Sequence, residues 1–328
     1  MIDRKVFKKP IILDNRSIRK KNINIQKYFD ESNDLLFNSI EKLFKKKKKI
    51  TDNISCPSCG HKRKKNIYKI SKFLYDMCSN CKSVYVSNPL KKNILIDKYK
   101  NSLVDQMYIK MMKTGYMKKY NELLFSKYMK IIINDLGYKS GKIIDIGCGP
   151  GVFLDFIKKN YPLYDLYASE YISYTKNIIE KIIPKKNFYF QEDIKNFPKN
   201  YFDIIFLWGV LEHVRNPVSF LEICKKILKK KGVIIFLIPN FYSRARDLLG
   251  ANTPTFNPLD HINFFSKKGV SIIKKKMSVN LFGPFLELPI IDIMHPLINS
   301  IKEERKKIYK NDSSYYHVYI MEKNIKVK

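Results

Sequence analysis

Tryptophan occurs once in the 328 residues, glycine 12 times and histidine five times, and acidic residues number 30 against 63 basic ones. So little glycine, with 14 prolines, excludes a collagen-like or low-complexity chain. The shortage of acid leaves a formal net charge of +33, which excludes an acidic, solvating composition. No run of 18 apolar residues occurs, so no membrane-spanning helix is expected. The opening residues MIDRKVFKKP contain no apolar stretch of the kind that drives secretion. The expected location is therefore the cytoplasm, with a peripheral position on the inner face of the membrane left open by the lysines. What is present is an ordinary hydrophobic share of 45%, in a chain long enough for a full core and a smaller module.

In a reducing compartment, six cysteines fit a metal site better than a disulfide framework. Cys56, Cys59, Cys78 and Cys81 stand as C-x2-C-x18-C-x2-C, a zinc-ribbon spacing. Each C-x2-C turn can aim two thiolates at one ion, and two turns close a tetrahedron. Four sulfurs leave no coordination position for water, so the expected Zn2+ is structural. Gly60 follows the first knuckle, where a positive φ is useful. Cys148 and Cys224 fall in a glycine loop and a helix and are not counted as ligands.

The glycine loop is KIIDIGCGPG, Lys142 to Gly151. A short β-branched run ends in Asp145, glycines follow at 147, 149 and 151, and a helical pattern begins at Val152. This reads as a buried strand, a tight turn and a helix start. The segment DLYASEYI (165–172) is a second strand, with Glu170 at its end. An α/β nucleotide fold presents a carboxylate to ribose hydroxyls about 20 residues past its glycine loop. A helix over 173–183, a third strand ending at Asp193, a fourth ending near Trp208, a helix over 217–229 and a strand over 232–239 complete the alternation. That alternation predicts a doubly wound, mostly parallel sheet with helices on both faces.

These motifs resemble the class I S-adenosylmethionine-dependent methyltransferases, in particular the group with an N-terminal zinc ribbon. The residues that carry the resemblance are IDIGCGPG (144–151), FDIIFLWGVLEHVRNP (202–217) and DHINFFS (260–266), in that order behind the cysteines. It implies a Rossmann-like domain preceded by a small zinc-ribbon module, and S-adenosyl-L-methionine as cofactor. By resemblance, Gly147, Cys148 and Gly149 line its methionine part and Asp145 organises the loop and the ammonium. Glu170 holds the ribose hydroxyls, Asp193 accepts from the adenine amino group, and Ile194 lies near the ring. His213 and His261 fall where the family's acceptor pocket opens; each is read as a base for the acceptor proton or as a hydrogen-bonded scaffold. Similar ubiquinone-pathway enzymes carry Glu-x-x-Glu-His, a motif that holds a divalent ion, but Gly209 stands here in the first position, so the resemblance does not carry a catalytic metal over and Glu212 is read as a cap or brace of the helix that follows.

The expected organisation is a basic arm at 1–50, a zinc ribbon at 51–91, a helical lid or linker at 92–140, and a methyltransferase domain at 141–328 with an insertion near 284–310. Within the arm, 30–44 has a helical pattern. Within the lid, Tyr116, Tyr120, Leu123, Leu124, Tyr128 and Ile131 form one stripe, read as core. The Pro-rich stretch 250–263 is read as an active-site loop, and 315–321 as the last strand. The expected activity is in-line methyl transfer to O, N or C of a small molecule: a sugar, a lipid-linked saccharide or a secondary metabolite. RNA methylation is the alternative, favoured by charge and by the ribbon, although LWGV (207–210) stands where base-amine methylases carry N-P-P-[YF]. A binding module without activity is the third. Clusters such as Lys45 to Lys49 leave contact with anionic membrane or nucleic acid open. Nothing in the residues sets an oligomeric state.

Overall fold

The computed structural model describes residues 49–95, 115–172, 175–253, 255–287 and 301–324, with isolated positions between 35 and 45 and at 112. The expected helix at 30–44, much of the 92–140 segment and the middle of the 284–310 insertion lie outside the described residues.

Two sheets organise the chain. The smaller one is antiparallel, in the order β1 (Lys64–Ile70), β2 (Phe73–Cys78), β3 (Val84–Val86) and β9 (Asn263–Phe264). The first three strands belong to the cysteine-rich segment, and the fourth comes from the DHINFFS motif far downstream. The larger sheet has seven strands in the order β10-β11-β8-β7-β4-β5-β6. Its members are β4 (Gly141–Ile146), β5 (Tyr164–Glu170), β6 (Phe188–Phe190), β7 (Phe202–Trp208), β8 (Leu228–Pro239), β10 (Asn280–Glu287) and β11 (Tyr316–Glu322). All neighbours from β6 to β8 pair parallel; β11 runs antiparallel between β8 and β10.

Among the described residues, seven α-helices follow in chain order: α1 (Gly115–Lys130), α2 (Val152–Asn160), α3 (Lys176–Ile179), α4 (Pro217–Ile227), α5 (Arg244–Leu249), α6 (Lys267–Met277) and α7 (Ile301–Asn311). The central strands are apolar on both sides because both faces are covered. Ile143, Ile204, Phe206, Val233 and Ile235 face one core with α1 and α2. Ile144, Ile205, Leu207, Ile234 and Phe236 face the other with α4 and α6. Strand periodicity of two thus sorts a continuous apolar run into two cores.

Three sequence expectations shift. The helix expected over 173–183 is helical only at Lys176–Ile179. Ile182 and Ile183 then turn inward beneath the glycine loop, and Pro184 ends any continuation. The third strand ends at Phe190, because Ile194 and Phe197 repeat at the period of the 3-10 turn Gln191–Asn196 and both enter the core. On α1, Tyr120, Leu124 and Tyr128 are buried at i, i+4 and i+8, whereas Leu123, rotated off that row, is 42% exposed. The Tyr116 side chain is outside the described residues.

Candidate active site

The carboxyl edge of the parallel sheet collects the glycine loop and two acids. Asp145 is the penultimate residue of β4 and Glu170 the last of β5. Gly147 N–H and Cys148 N–H both donate to Ser169 O, at 2.7 and 3.2 Å, which folds the loop back over β5. Gly147, Gly149 and Gly151 all take positive φ (74°, 52° and 76°). A Cβ at 147 or 151 would strike Val210 or Ile182, whereas one at 149 would meet open space. Gly149 is therefore the point at which a ligand can approach the backbone.

Glu170 is buried and occupied from within. Its Oε2 accepts from Gly149 N–H at 2.6 Å and its Oε1 from the N–H groups of Tyr171 (2.6 Å) and Ile172 (3.2 Å). Burial raises its pKa, against the pull of those three amides. Asp145 is 2% exposed, and its Oδ1 has no hydrogen-bond partner. Burial first, and then the Glu170 charge, push its pKa well up. The buried Cys148 thiol feels the same two acids after burial, so all three share one small space. Two buried carboxylates acting on each other call for a cationic ligand with hydrogen-bond donors.

Asp193 stands apart from this pair, exposed on the 3-10 turn after β6. Ile194 beside it is 3% exposed and packed into the core with Phe197 and Tyr189.

Further along the same edge, the LEHV and DHINFF motifs are clamped together. Ile262 N–H donates to Glu212 O at 2.8 Å. The Asn263 side-chain amide donates to Leu211 O (3.2 Å) and Val214 O (2.6 Å). The half-buried rings of His213 and His261 consequently meet edge-on, with centroids 4.9 Å apart. His261 Nδ1 lies 2.9 Å from Thr255 O, and its N–H donates to Asn257 O at 2.8 Å. The stretch 250–263 thus positions a histidine rather than hanging as an open loop. Glu212 is 1% exposed, and its Oε2 has no hydrogen-bond partner; burial pushes its carboxyl up to about 8. Sequence reading took Glu212 for a brace and missed Thr255 and Asn263. The available signal was the asparagine between the two apolar residues of DHINFF.

A polar group from α1 completes this edge. Tyr128 OH donates to Glu287 Oε1 at 2.8 Å, Lys127 pairs with the same oxygen, and Tyr128 packs against Trp208 at the end of β7.

The four ribbon sulfurs converge. Cys56 and Cys81 lie 3.5 Å apart, as do Cys59 and Cys78, and all four fall within 4.8 Å of one another. A zinc tetrahedron with bonds of about 2.3 Å needs edges of about 3.8 Å. The two knuckles repeat each other: Gly60 N–H donates to Cys56 O and Lys82 N–H to Cys78 O, both from positive φ. All six cysteines are free. The hydrogen bond between Cys56 and Cys81, ahead of other causes, draws the Cys81 thiol down and pushes Cys56 up, so that one proton serves the pair. The donor set fits Zn2+ held for structural purposes.

Residues 116–271 match a family described as a methyltransferase domain. A ubiquinone biosynthesis O-methyltransferase of Histophilus somni is 28% identical over 133 residues, 35% of this chain and 52% of that protein. The mitochondrial ubiquinone biosynthesis O-methyltransferase of Dictyostelium discoideum is 29% identical over 155 residues, 41% of this chain and 46% of that protein. The chain spans about half the length of these relatives. A solved SAM-dependent methyltransferase from Archaeoglobus fulgidus is similar at a TM-score of 0.48 and 16% identity, covering 63% of this chain and 94% of that one. Among the described residues, no helix is long and apolar enough to cross a membrane.

Proposed function

We propose that this chain, whose residues 116–271 are a methyltransferase domain, transfers a methyl group from S-adenosyl-L-methionine to a small molecule: a sugar, a lipid-linked saccharide or a secondary metabolite. One observation carries the reading. The glycine loop and the buried Asp145–Glu170 pair share a sheet edge with the His213–His261 pair. When bound, the cofactor supplies a methyl carbon already activated by its sulfonium. The chain's own residues supply the rest.

Asp145, with its free oxygen, would take the ammonium, and the open face at Gly149 would let the methionine part approach the backbone. Glu170 Oε2 keeps acceptor capacity beyond its one backbone bond, which suits a ribose hydroxyl. Asp193 would reach the adenine only from the rim, as an exposed group. At the acceptor end, the group formed by Glu212, His213 and His261 is the place where an acceptor proton can leave. The relatives named for O-methylation favour oxygen as the methylated atom.

Part of the positive charge lies away from the candidate site. Lys225, Lys226 and Lys229 to Lys231 lie where α4 runs into β8, Lys274 to Lys276 close α6, and Lys323 follows β11. Apart from Lys276, which faces Asn216 and Ser219 across a shared cleft, they sit toward the amino edge of the sheet and remain available to an anionic surface.

Methyl-labelled cofactor added to cell extract, followed by fractionation into nucleic acid, protein, glycan and lipid, tests the proposal. Label in the small-molecule, glycan or lipid fractions is expected. Label in RNA would overturn the acceptor class, and no label from protein that binds the cofactor would overturn the activity.

A further inference from the structure

We propose that Glu212, His213 and His261 bind one divalent first-row transition-metal ion at the catalytic edge, separate from the four-cysteine site. Sequence spacing argued against such an ion, because Gly209 occupies the place of a carboxylate. In space, the third donor arrives from elsewhere. One donor atom from each of Glu212, His213 and His261 lies within 4.8 Å of the other two. Two imidazoles and a carboxylate on one side of an ion leave its remaining positions open, the arrangement that catalytic sites use.

The surroundings are those of a ligand set. A metal-binding histidine usually donates its second ring N–H to a carbonyl or carboxylate, which fixes the tautomer. His261 does so: Nδ1 faces Thr255 O at 2.9 Å, which puts the proton on Nδ1 and makes Nε2 the basic nitrogen of the ring. The segments bearing the donors are joined by the Ile262–Glu212 backbone bond and by the Asn263 side chain, so the cluster is held rather than met by chance. The Glu212 carboxylate is buried with one oxygen lacking any hydrogen-bond partner, a costly arrangement unless something positive sits against it. Opposite it, Gly209 contributes no side chain; a Cβ there would come within 3.5 Å of Glu212 Oε1 and narrow the space beside the carboxylate.

The role of the ion rests on the methyltransferase reading. An acceptor hydroxyl entering an open position would lose its proton to solvent water more readily, because a bound cation stabilises the oxyanion. The ligand class is therefore a divalent ion together with an acceptor that offers oxygen donors.

The test is direct binding to full-length, zinc-loaded protein. Mn(II) alone, and Co(II) alone in a parallel series, are titrated in, and the free ion is followed by electron paramagnetic resonance or absorbance. One ion per chain beyond the ribbon zinc is expected. Glu212→Gln and His261→Asn should each weaken it at least about tenfold, with calorimetric affinity for S-adenosylhomocysteine unchanged. His213→Gln, which leaves the Asn263 clamp intact, gives an independent variant should His261→Asn unfold. No binding of either ion, or equal binding in the Glu212→Gln and His213→Gln proteins, would overturn the site. Ion binding without any methyl transfer would leave the site standing and count against the function proposed above.

Discussion

At the scale of single residues, the informative side chains are those whose burial conflicts with their charge. Asp145 and Glu170 are both buried, and each has its pKa raised by burial. Such carboxylates gain most from a ligand that brings a cation or donors. Charge-assisted hydrogen bonds contribute roughly 1.5–3 kcal/mol each. Asp145→Ala or Glu170→Ala should therefore weaken cofactor binding at least about tenfold; unchanged affinity by calorimetry would contradict the assignment. His317 shows the opposite conflict. It is 3% exposed at the start of β11, and burial, ahead of its other causes, lowers its pKa from 6.5 to about 4. Above pH 6.5 it is neutral in both the folded and the unfolded chain and has no effect on the slope. Between about 6.5 and 4 only the unfolded chain takes up the proton, so stability falls as pH falls. The full window corresponds to about 3 kcal/mol at about 1.4 kcal/mol per unit. Denaturant titrations at pH 7 and pH 4.5 should show a smaller acid loss for His317→Gln than for the native chain.

At the scale of elements, the arrangement at the active edge depends on contacts between motifs far apart in sequence. Asn263 is 2% exposed and satisfies two carbonyls of the LEHV turn. Its loss would leave Val214 O without that donor and Leu211 O with only the Val214 N–H, at about 1–3 kcal/mol before relaxation. Asn263→Ala is expected to lower turnover through misalignment of His213 and His261 while leaving S-adenosylhomocysteine affinity intact; parallel loss of cofactor binding would show that the clamp supports the whole edge instead. This clamp also explains what the sequence disclosed and what it withheld. The strands β4, β7 and β8 were legible because each holds an apolar run with paired isoleucines, followed by a glycine in β4 and β7 and closed by a proline in β8, whereas β5 was legible from its terminal acid and its place after the glycine loop. The four-cysteine site was legible because its spacing is local. Asp193 was placed on a strand end because FYFQED reads as extended, yet the Ile194–Phe197 spacing wins once both side chains find the core. The grouping of Glu212 with His261, and the fourth strand of the ribbon sheet, were not legible. Both arise from pairing across long sequence separations, which no local pattern reports.

At the scale of the whole molecule, the ribbon is part of the catalytic half rather than an appendage. Its third strand pairs with Asn263–Phe264, which begins two residues after His261. The next polar residue, Ser266, caps α6 through Gly269 N–H while its hydroxyl donates to Cys81 O, and Ser266 N–H donates to Ser83 Oγ at 3.1 Å. One knuckle of the cysteine site therefore grips the segment that carries a catalytic-edge histidine. The glycine loop is anchored instead on β4 and β5, within the large sheet. Zinc binding to such modules amounts to roughly 10–16 kcal/mol in isolated peptides, so the knuckles should not persist without it. Chelation, or Cys59→Ser, is thus expected to abolish the roughly one zinc per chain, to lower the unfolding temperature and to reduce turnover through β3, β9 and His261. S-adenosylhomocysteine affinity should remain, because Asp145 and Glu170 stand on strands that the ribbon sheet does not pair with. Metal analysis, thermal unfolding and calorimetry on the same preparation separate the outcomes. Undiminished stability and turnover without zinc would detach the ribbon from the site, whereas simultaneous loss of cofactor binding would mean that the two sheets fold as one unit.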